Sequence, residues 1–230
     1  MRRTSMKTCD IAVIEYGLGN IFSIKHACEH FGLRAEVTSD KAVIAAAKAV
    51  ILPGVGAFGD AMKALRSLDL VAPLKDFAAS GKPLVGICLG QQLLFSRSHE
   101  FGLHEGLGFI EGDVIRFDAP RLNGKELKVP HVSWCAVHAP GSDAADGESP
   151  SQWDGTLLQG VNQGDEMYFV HSFYTVPKDA SVATTLSRYG ETEFCSGVKK
   201  GNVAGFQFHP ERSGEVGMKV YHNLAKQLKQ

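Results

Sequence analysis

Short apolar runs that alternate with helical patterns constrain this chain more than any other feature. Asp10-Ile11-Ala12-Val13-Ile14-Glu15, residues 35–38, Ala49-Val50-Ile51-Leu52 and Pro83-Leu84-Val85-Gly86-Ile87 read as strands. Three of the four are too continuously apolar to keep a wet face, as expected of a sheet covered on both sides. Between the first two, Ile21, Ile24, Ala27, Cys28 and Phe31 recur at helical spacing, and Gly32 supplies the stop. Further helical patterns cover 59–68 and 71–79, ended by Gly81, and another covers 89–96. Strand and helix in this order predict a parallel sheet with helices on both faces.

The second half changes character. Segments 109–117, 128–134, 167–173 and 182–188 read as strands without long helices between them. Segments 194–199 and 203–208 read as a hairpin turned at Lys200-Gly201-Asn202. A closing helix over 214–229 carries Val216, Val220, Leu224 and Leu228 four apart. The expected fold is α/β, a mostly parallel central sheet with an antiparallel portion added by the second half. At 230 residues the chain fits one domain over 1–230. Residues 1–6 read as a flexible extension. Residues 138–156, rich in Ala, Gly, Ser, Asp and Pro, read as an exposed insertion.

Composition excludes several classes. A net charge of -1, from 24 basic and 25 acidic residues, leaves no basic footprint for nucleic acid. The apolar run behind the basic N-terminus, Ile11 to Ile14, is too short for a signal peptide or a membrane span. Five widely spaced cysteines, an odd number without a CxxC pair, do not form a disulfide framework, and a cytoplasmic compartment is expected. His131, Cys135 and His138 match no zinc spacing, so neither metal nor cofactor is expected.

The chemistry concentrates in Gly86-Ile87-Cys88-Leu89-Gly90. A strand runs in and a helix runs out, the pattern of a nucleophile elbow with cysteine in place of serine. The helix N-terminus favours the thiolate, and the Leu89 N–H is placed to join an oxyanion hole. Phe206-Gln207-Phe208-His209-Pro210-Glu211 supplies a base and its orienter. On extended backbone, His209 and Glu211 project from one face, so Glu211 is placed to fix the ring tautomer while the other nitrogen meets Cys88.

These two motifs, in this order, resemble those of the class I glutamine amidotransferase family. Tyr16-Gly17-Leu18-Gly19-Asn20, Leu52-Pro53-Gly54-Val55-Gly56-Ala57-Phe58-Gly59 and Tyr168-Phe169-Val170-His171-Ser172 resemble one branch of it, the glutaminase subunits of imidazole glycerol phosphate synthases. The resemblance covers roughly 8–229 apart from the insertion. It implies that Cys88 attacks the glutamine side-chain amide, that His209 protonates the departing ammonia and then activates water, and that Glu211 orients His209. It places Gln92, Gly54, Ser172 and Phe173 at the glutamine, and Val55 and Gly56 with Leu89 in the oxyanion hole. It sets Asn20, Trp134, Tyr168 and Arg212 at the partner interface and ammonia passage. The chain leaves no room for a synthase domain, so a partner is expected to take the ammonia, and the resemblance implies a (β/α)₈-barrel cyclase in a heterodimer. Pro130-His131-Val132-Ser133-Trp134-Cys135 departs from the usual Pro-His-Met-Gly-Trp-Asn, and Arg212 stands where lysine is common. A paralogous glutaminase feeding amidation of a surface-polysaccharide sugar is the alternative. A non-catalytic regulatory module and a pyridoxal-phosphate-type glutaminase are further ones.

Overall fold

The computed structural model describes residues 9–229; the expected extension at 1–6 lies outside them. The elements are β1 (Ile11–Ile14), α1 (Ile21–His30), β2 (Ala35–Thr38), α2 (Lys41–Ala46), β3 (Ala49–Leu52), α3 (Phe58–Ser67), α4 (Val71–Ala79), β4 (Leu84–Ile87), α5 (Leu89–Leu93) and β5 (Phe95–Ser98). There follow β6 (His104–Glu105), β7 (Ile110–Arg116), β8 (Arg121–Leu122), β9 (Lys125–Glu126), β10 (His131–Ala136) and β11 (Glu166–His171). The chain ends with β12 (Phe173–Pro177), β13 (Ala183–Tyr189), β14 (Thr192–Lys200), β15 (Val203–Phe206) and α6 (Gly214–Gln227).

An eleven-stranded sheet runs β2-β1-β3-β4-β15-β14-β12-β7-β5-β6, with β13 also on β14. The pairing is parallel from β2 through to β15. From β15 onward antiparallel pairs take over, β14 on β15, β12 on β14 and β7 on β12, before β5 joins β7 in parallel. The expected α/β sheet with an antiparallel second half is therefore the observed one.

Alternation along the strands builds two cores. Ala12, Ile14, Val50, Leu52 and Leu84 face one side, under Ile44 of α2, Phe58, Met62 and Leu65 of α3 and Leu74 and Phe77 of α4. Ile11, Val13, Ile51, Val85 and Ile87 face the other, under Ile24 and Cys28 of α1 and Val220, Tyr221 and Leu224 of α6. All eight residues of β1 and β3 are buried, which is why these runs lack polar alternation.

One expectation is corrected. The helix expected over 89–96 stops at Leu93, because Phe95–Ser98 leaves it to pair as a strand with β7 and β6. The helical spacing of 89–96 could not show that the sheet had a place for its last residues. The insertion expected at 138–156 is exposed at most of its residues, Ser151, Gln152, Asp154 and Gly155 included, but it is anchored at three points. Ala139, Pro150 and Trp153 are buried, Trp153 at 1% exposure with its indole N–H donating to the Thr184 carbonyl at 2.8 Å. His138 is bridged to Leu186 by a pair of backbone hydrogen bonds. The segment is a strap stapled to the sheet by an aromatic anchor.

Candidate functional site

The site lies at the carboxyl ends of the parallel strands, where open α/β sheets place their ligands. Each contributing strand ends in a loop there. Cys88 follows β4 at φ 55°, ψ -111°, a region that L-residues occupy only under constraint. The constraint is visible on both sides. Cys88 N–H donates to the Phe206 carbonyl at 2.7 Å. Gly90 packs so closely on the Leu52 carbonyl that a Cβ there would overlap it. The elbow thus presents the thiol at the strand end and keeps it 6% exposed.

His209 arrives from β15, the parallel neighbour of β4, with Ile87 opposite Phe206. Its N–H donates to the Tyr168 carbonyl at 2.9 Å, and Ser213 Oγ–H donates to the His209 carbonyl at 2.7 Å. His209 Nδ1 meets Glu211 Oε1 at 2.9 Å, with the Glu211 side chain fully buried. The second oxygen of Glu211 accepts from Tyr221 O–H at 3.3 Å. The carboxylate accepts from Nδ1–H, which leaves Nε2 for the other side. Nε2 is buried without a hydrogen-bond partner, an orphan at the side facing the cleft. Burial alone opposes a charged ring. Cys88 and then Glu211 outweigh it and raise His209 to about 10. The pair is therefore arranged as nucleophilic sulphur beside imidazolium.

A cleft of about 270 Å³ brings together Val55, Gly56, Cys88, Leu89, Gln92, Ser172, Phe173 and His209. Eight of the expected residues thus share one space, and Glu211 stands behind His209. Gly54 is not in the cleft wall; it is wedged against the Tyr16 hydroxyl and Leu89. The loop of Val55 and Gly56 is pinned at one end, where Tyr16 O–H donates to the Pro53 carbonyl at 2.6 Å. Beyond that pin Val55 is 41% exposed, and Gly56 has φ +97°, open to glycine and closed to most side chains.

The four residues expected at the partner interface lie outside the cleft. Trp134 and Tyr168 meet edge to face at 6.0 Å, Tyr168 and His209 lie 6.4 Å apart, and the Arg212 guanidinium sits 4.8 Å over the Tyr168 ring. Trp134 is half exposed, so it is not a core aromatic. Asn20 precedes α1 and its Oδ1 accepts from Ser23 O–H at 3.1 Å, while no backbone N–H of the helix is capped by it.

Two residues escaped the sequence reading. Glu100 lines the cleft at 8% exposure, and one of its oxygens accepts from Phe58 N–H at 2.6 Å. Nothing in Ser98-His99-Glu100-Phe101 marks a buried carboxylate; only the turn after β5 carries it inward. Gln207 lies inside the motif read for its histidine, fully buried, with Nε2 3.7 Å from Cys88 Sγ. A second cavity of about 230 Å³, among Val85, Leu157, Thr184 and Phe206, holds no nucleophile with a base.

Comparison with known proteins places the chain in a family. The family model "Glutamine amidotransferase class-I" matches residues 12–227. The "Imidazole glycerol phosphate synthase subunit HisH" of Rhodopirellula baltica is 45% identical over 94% of this chain and 96% of its own length. The protein of that name from Syntrophotalea carbinolica is 44% identical, over 93% and 98%. Among solved structures, "PurLQS from Thermotoga maritima" has a TM-score of 0.69 at 20% identity, covering 95% of this chain and 98% of that one. A "glutamine amidotransferase" has 0.64 at 18%, covering 94% and 99%. A cysteine elbow, a histidine–glutamate pair across from it and a family match over nearly the whole chain lead to one conclusion: this chain belongs to the class-I glutamine amidotransferases.

Proposed function

We propose that the chain is the glutaminase subunit of an imidazole glycerol phosphate synthase, freeing ammonia from glutamine and passing it to a cyclase partner with a (β/α)₈-barrel fold. The observation that carries the chemistry is the Cys88–His209–Glu211 arrangement at the cleft, with the 2.9 Å carboxylate–imidazole contact behind the sulphur. The identities of 45% and 44% to relatives bearing that subunit's name support the assignment.

Cys88 Sγ attacks the amide carbon of glutamine. The oxyanion so formed is held by the Leu89 N–H and by the loop of Val55 and Gly56. His209, protonated at rest, gives its Nε2 proton to the departing ammonia. Water then takes its place, His209 removes a proton from it, and the thioester opens to glutamate. Phe173 and Ser172 offer backbone to the amino-acid end. The second oxygen of Glu100 is free for its ammonium, a carboxylate in a cleft being the natural counter-charge. The amide nitrogen of Gln92 is already engaged by the Phe173 carbonyl and by Gln207 Oε1, both at 2.9 Å. Its carbonyl oxygen is therefore the atom left for the ligand.

Released ammonia is mostly ammonium near neutral pH and a poor nucleophile, so it must leave through protein. The exposed Trp134 and the Tyr168–Arg212 pair beside His209 are where a partner would continue the path. The test is glutamate release by the purified chain with and without the cyclase. Strong activation by the cyclase carries the reading. Glutaminase activity indifferent to that cyclase would hand the ammonia to another acceptor.

A further inference from the structure

We propose that Gln207 is a further catalytic residue, a side-chain amide whose N–H is aimed at the nucleophilic sulphur by a one-way chain of hydrogen bonds; this rests on Cys88 being the nucleophile. The direction of the chain follows from chemistry. The Phe173 carbonyl can only accept, and it lies 2.9 Å from one terminal atom of the Gln92 amide and 2.8 Å from His171 Nδ1. Both must be donors. The Gln92 atom is then NH₂, and its second hydrogen points at the Gln207 atom 2.9 Å away, which must be the carbonyl oxygen. The Gln207 NH₂ is left on the other side, 3.7 Å from Cys88 Sγ. An assignment with the amide reversed would set two NH₂ groups against each other.

The same logic runs on through His171. With Nδ1 donating, its Nε2 accepts from His131 Nδ1–H at 3.2 Å, and His131 Nε2 accepts from Ser133 O–H at 2.7 Å. The Gln207 and His131 side chains are fully buried, and Gln92 and His171 nearly so. The rotamer that faces the sulphur is thus set by Gln92 of α5, whose own amide is held by the Phe173 carbonyl of β12. The titratable groups that feel Cys88 are His209, with Glu211 behind it, and Tyr16. Gln207 is the uncharged donor among them.

An N–H···S contact is strongest when sulphur carries charge. It holds the anion before attack. It receives it again when the thioester opens: the water oxygen bonds to the acyl carbon, the C–S electron pair returns to Cys88, and the water proton goes to His209. The experiment is the rate of iodoacetamide labelling of Cys88 across pH, read by peptide mass spectrometry on the full chain, with glutamine turnover alongside. In Gln207→Met the labelling profile moves to higher pH by about one unit, the worth of one hydrogen bond to a charged group. Turnover falls about tenfold with KM for glutamine within about twofold. A profile superimposable on that of the unaltered chain overturns the proposal. So does a uniform scaling at every pH, which is what a packing role produces. If Gln207→Met does not fold, Gln207→Glu keeps an acceptor for Gln92 and removes the amide donor, and the same upward displacement is expected. Labelling of Cys88 without any glutamine hydrolysis even with the cyclase present would sink the functional reading and leave this one standing.

Discussion

Cys88 is held by neighbours that are fixed before any substrate arrives. Its positive φ costs on the order of 1–3 kcal/mol, held by the β15 contact and the Gly90 packing. Among the described residues, none of the other four cysteines has a histidine among its hydrogen-bond partners. Cys28 and Cys195 are buried with thiols pushed up to about 12. A diazo-ketone analogue of glutamine should therefore label Cys88 alone, and Cys88→Ser should abolish hydrolysis with the fold intact; labelling at Cys135 or Cys195 would contradict this. Glu211 has a different role. Its carboxylate fixes the His209 tautomer and holds the ring protonated, so Glu211→Gln should cut turnover roughly 10²–10⁴-fold. The KM for glutamine should hold, because Glu211 does not reach the cleft; a large rise in KM with turnover preserved would reassign it to binding.

At the scale of elements, β10 and β11 carry a pair of buried, neutral histidines. Burial lowers His131 to about 4 and His171 to about 3, against 6.5 for a free ring. Between those values the unfolded chain binds more protons than the folded one, so stability rises with pH. It is fully present above about pH 6.5 and is lost as pH falls through about 4 and then about 3. His209 has the opposite sign. Raised to about 10, it stabilises fully below about 6.5 and ceases to as pH climbs through 10. The melting temperature should therefore drop between pH 7 and about pH 4.5; a flat profile there would mean that these rings are not held neutral. The strap at 138–156 makes a separate demand. Trp153 is buried under the sheet and hydrogen-bonded to Thr184, so Trp153→Ala should cost about 3–5 kcal/mol. That is on the order of 10 °C in melting temperature. A change of only a degree or two would show the strap to be loose.

The whole molecule gathers its candidate site and the aromatic residues beside it at one edge. Cys88, the Val55–Gly56 loop and His209 all lie at the carboxyl ends of parallel strands, and Trp134, Tyr168 and Arg212 flank them. If that edge feeds a partner, the two half-reactions are separable. With the cyclase present, Cys88→Ala should lose synthesis from glutamine and keep synthesis from high external ammonium at raised pH. Loss of both would place Cys88 in the interface or the structure. The loop adds a kinetic expectation. Tyr16 pins Pro53, and the freedom that remains lies at Val55 and Gly56. An isolated chain with the donor turned away would run about 10²–10³-fold below the complex, the usual effect of one oxyanion donor.

The sequence by itself determined what is local. Strand and helix alternation, the elbow around Cys88, and the two-residue spacing of His209 and Glu211 depend on neighbours in the chain, and each is legible in the residue pattern. The motifs carried the family as well, because a strained turn between a buried strand and a helix tolerates few residue types. Tertiary structure alone decided what distant strands bring together. Cys88 meets His209 because β4 and β15 are parallel neighbours in register, Gly86 opposite Gly205 and Ile87 opposite Phe206. Strand pairing of that range leaves no periodicity to read. The same holds for the end of α5, cut short where β7 offers Phe95 a place, and for Trp153, whose anchoring depends on a groove that other strands supply. Glu100 and Gln207 are the sharpest cases. A carboxylate and an amide are ordinary surface residues in a sequence, and only the fold that buries them beside Cys88 turns them into parts of its site.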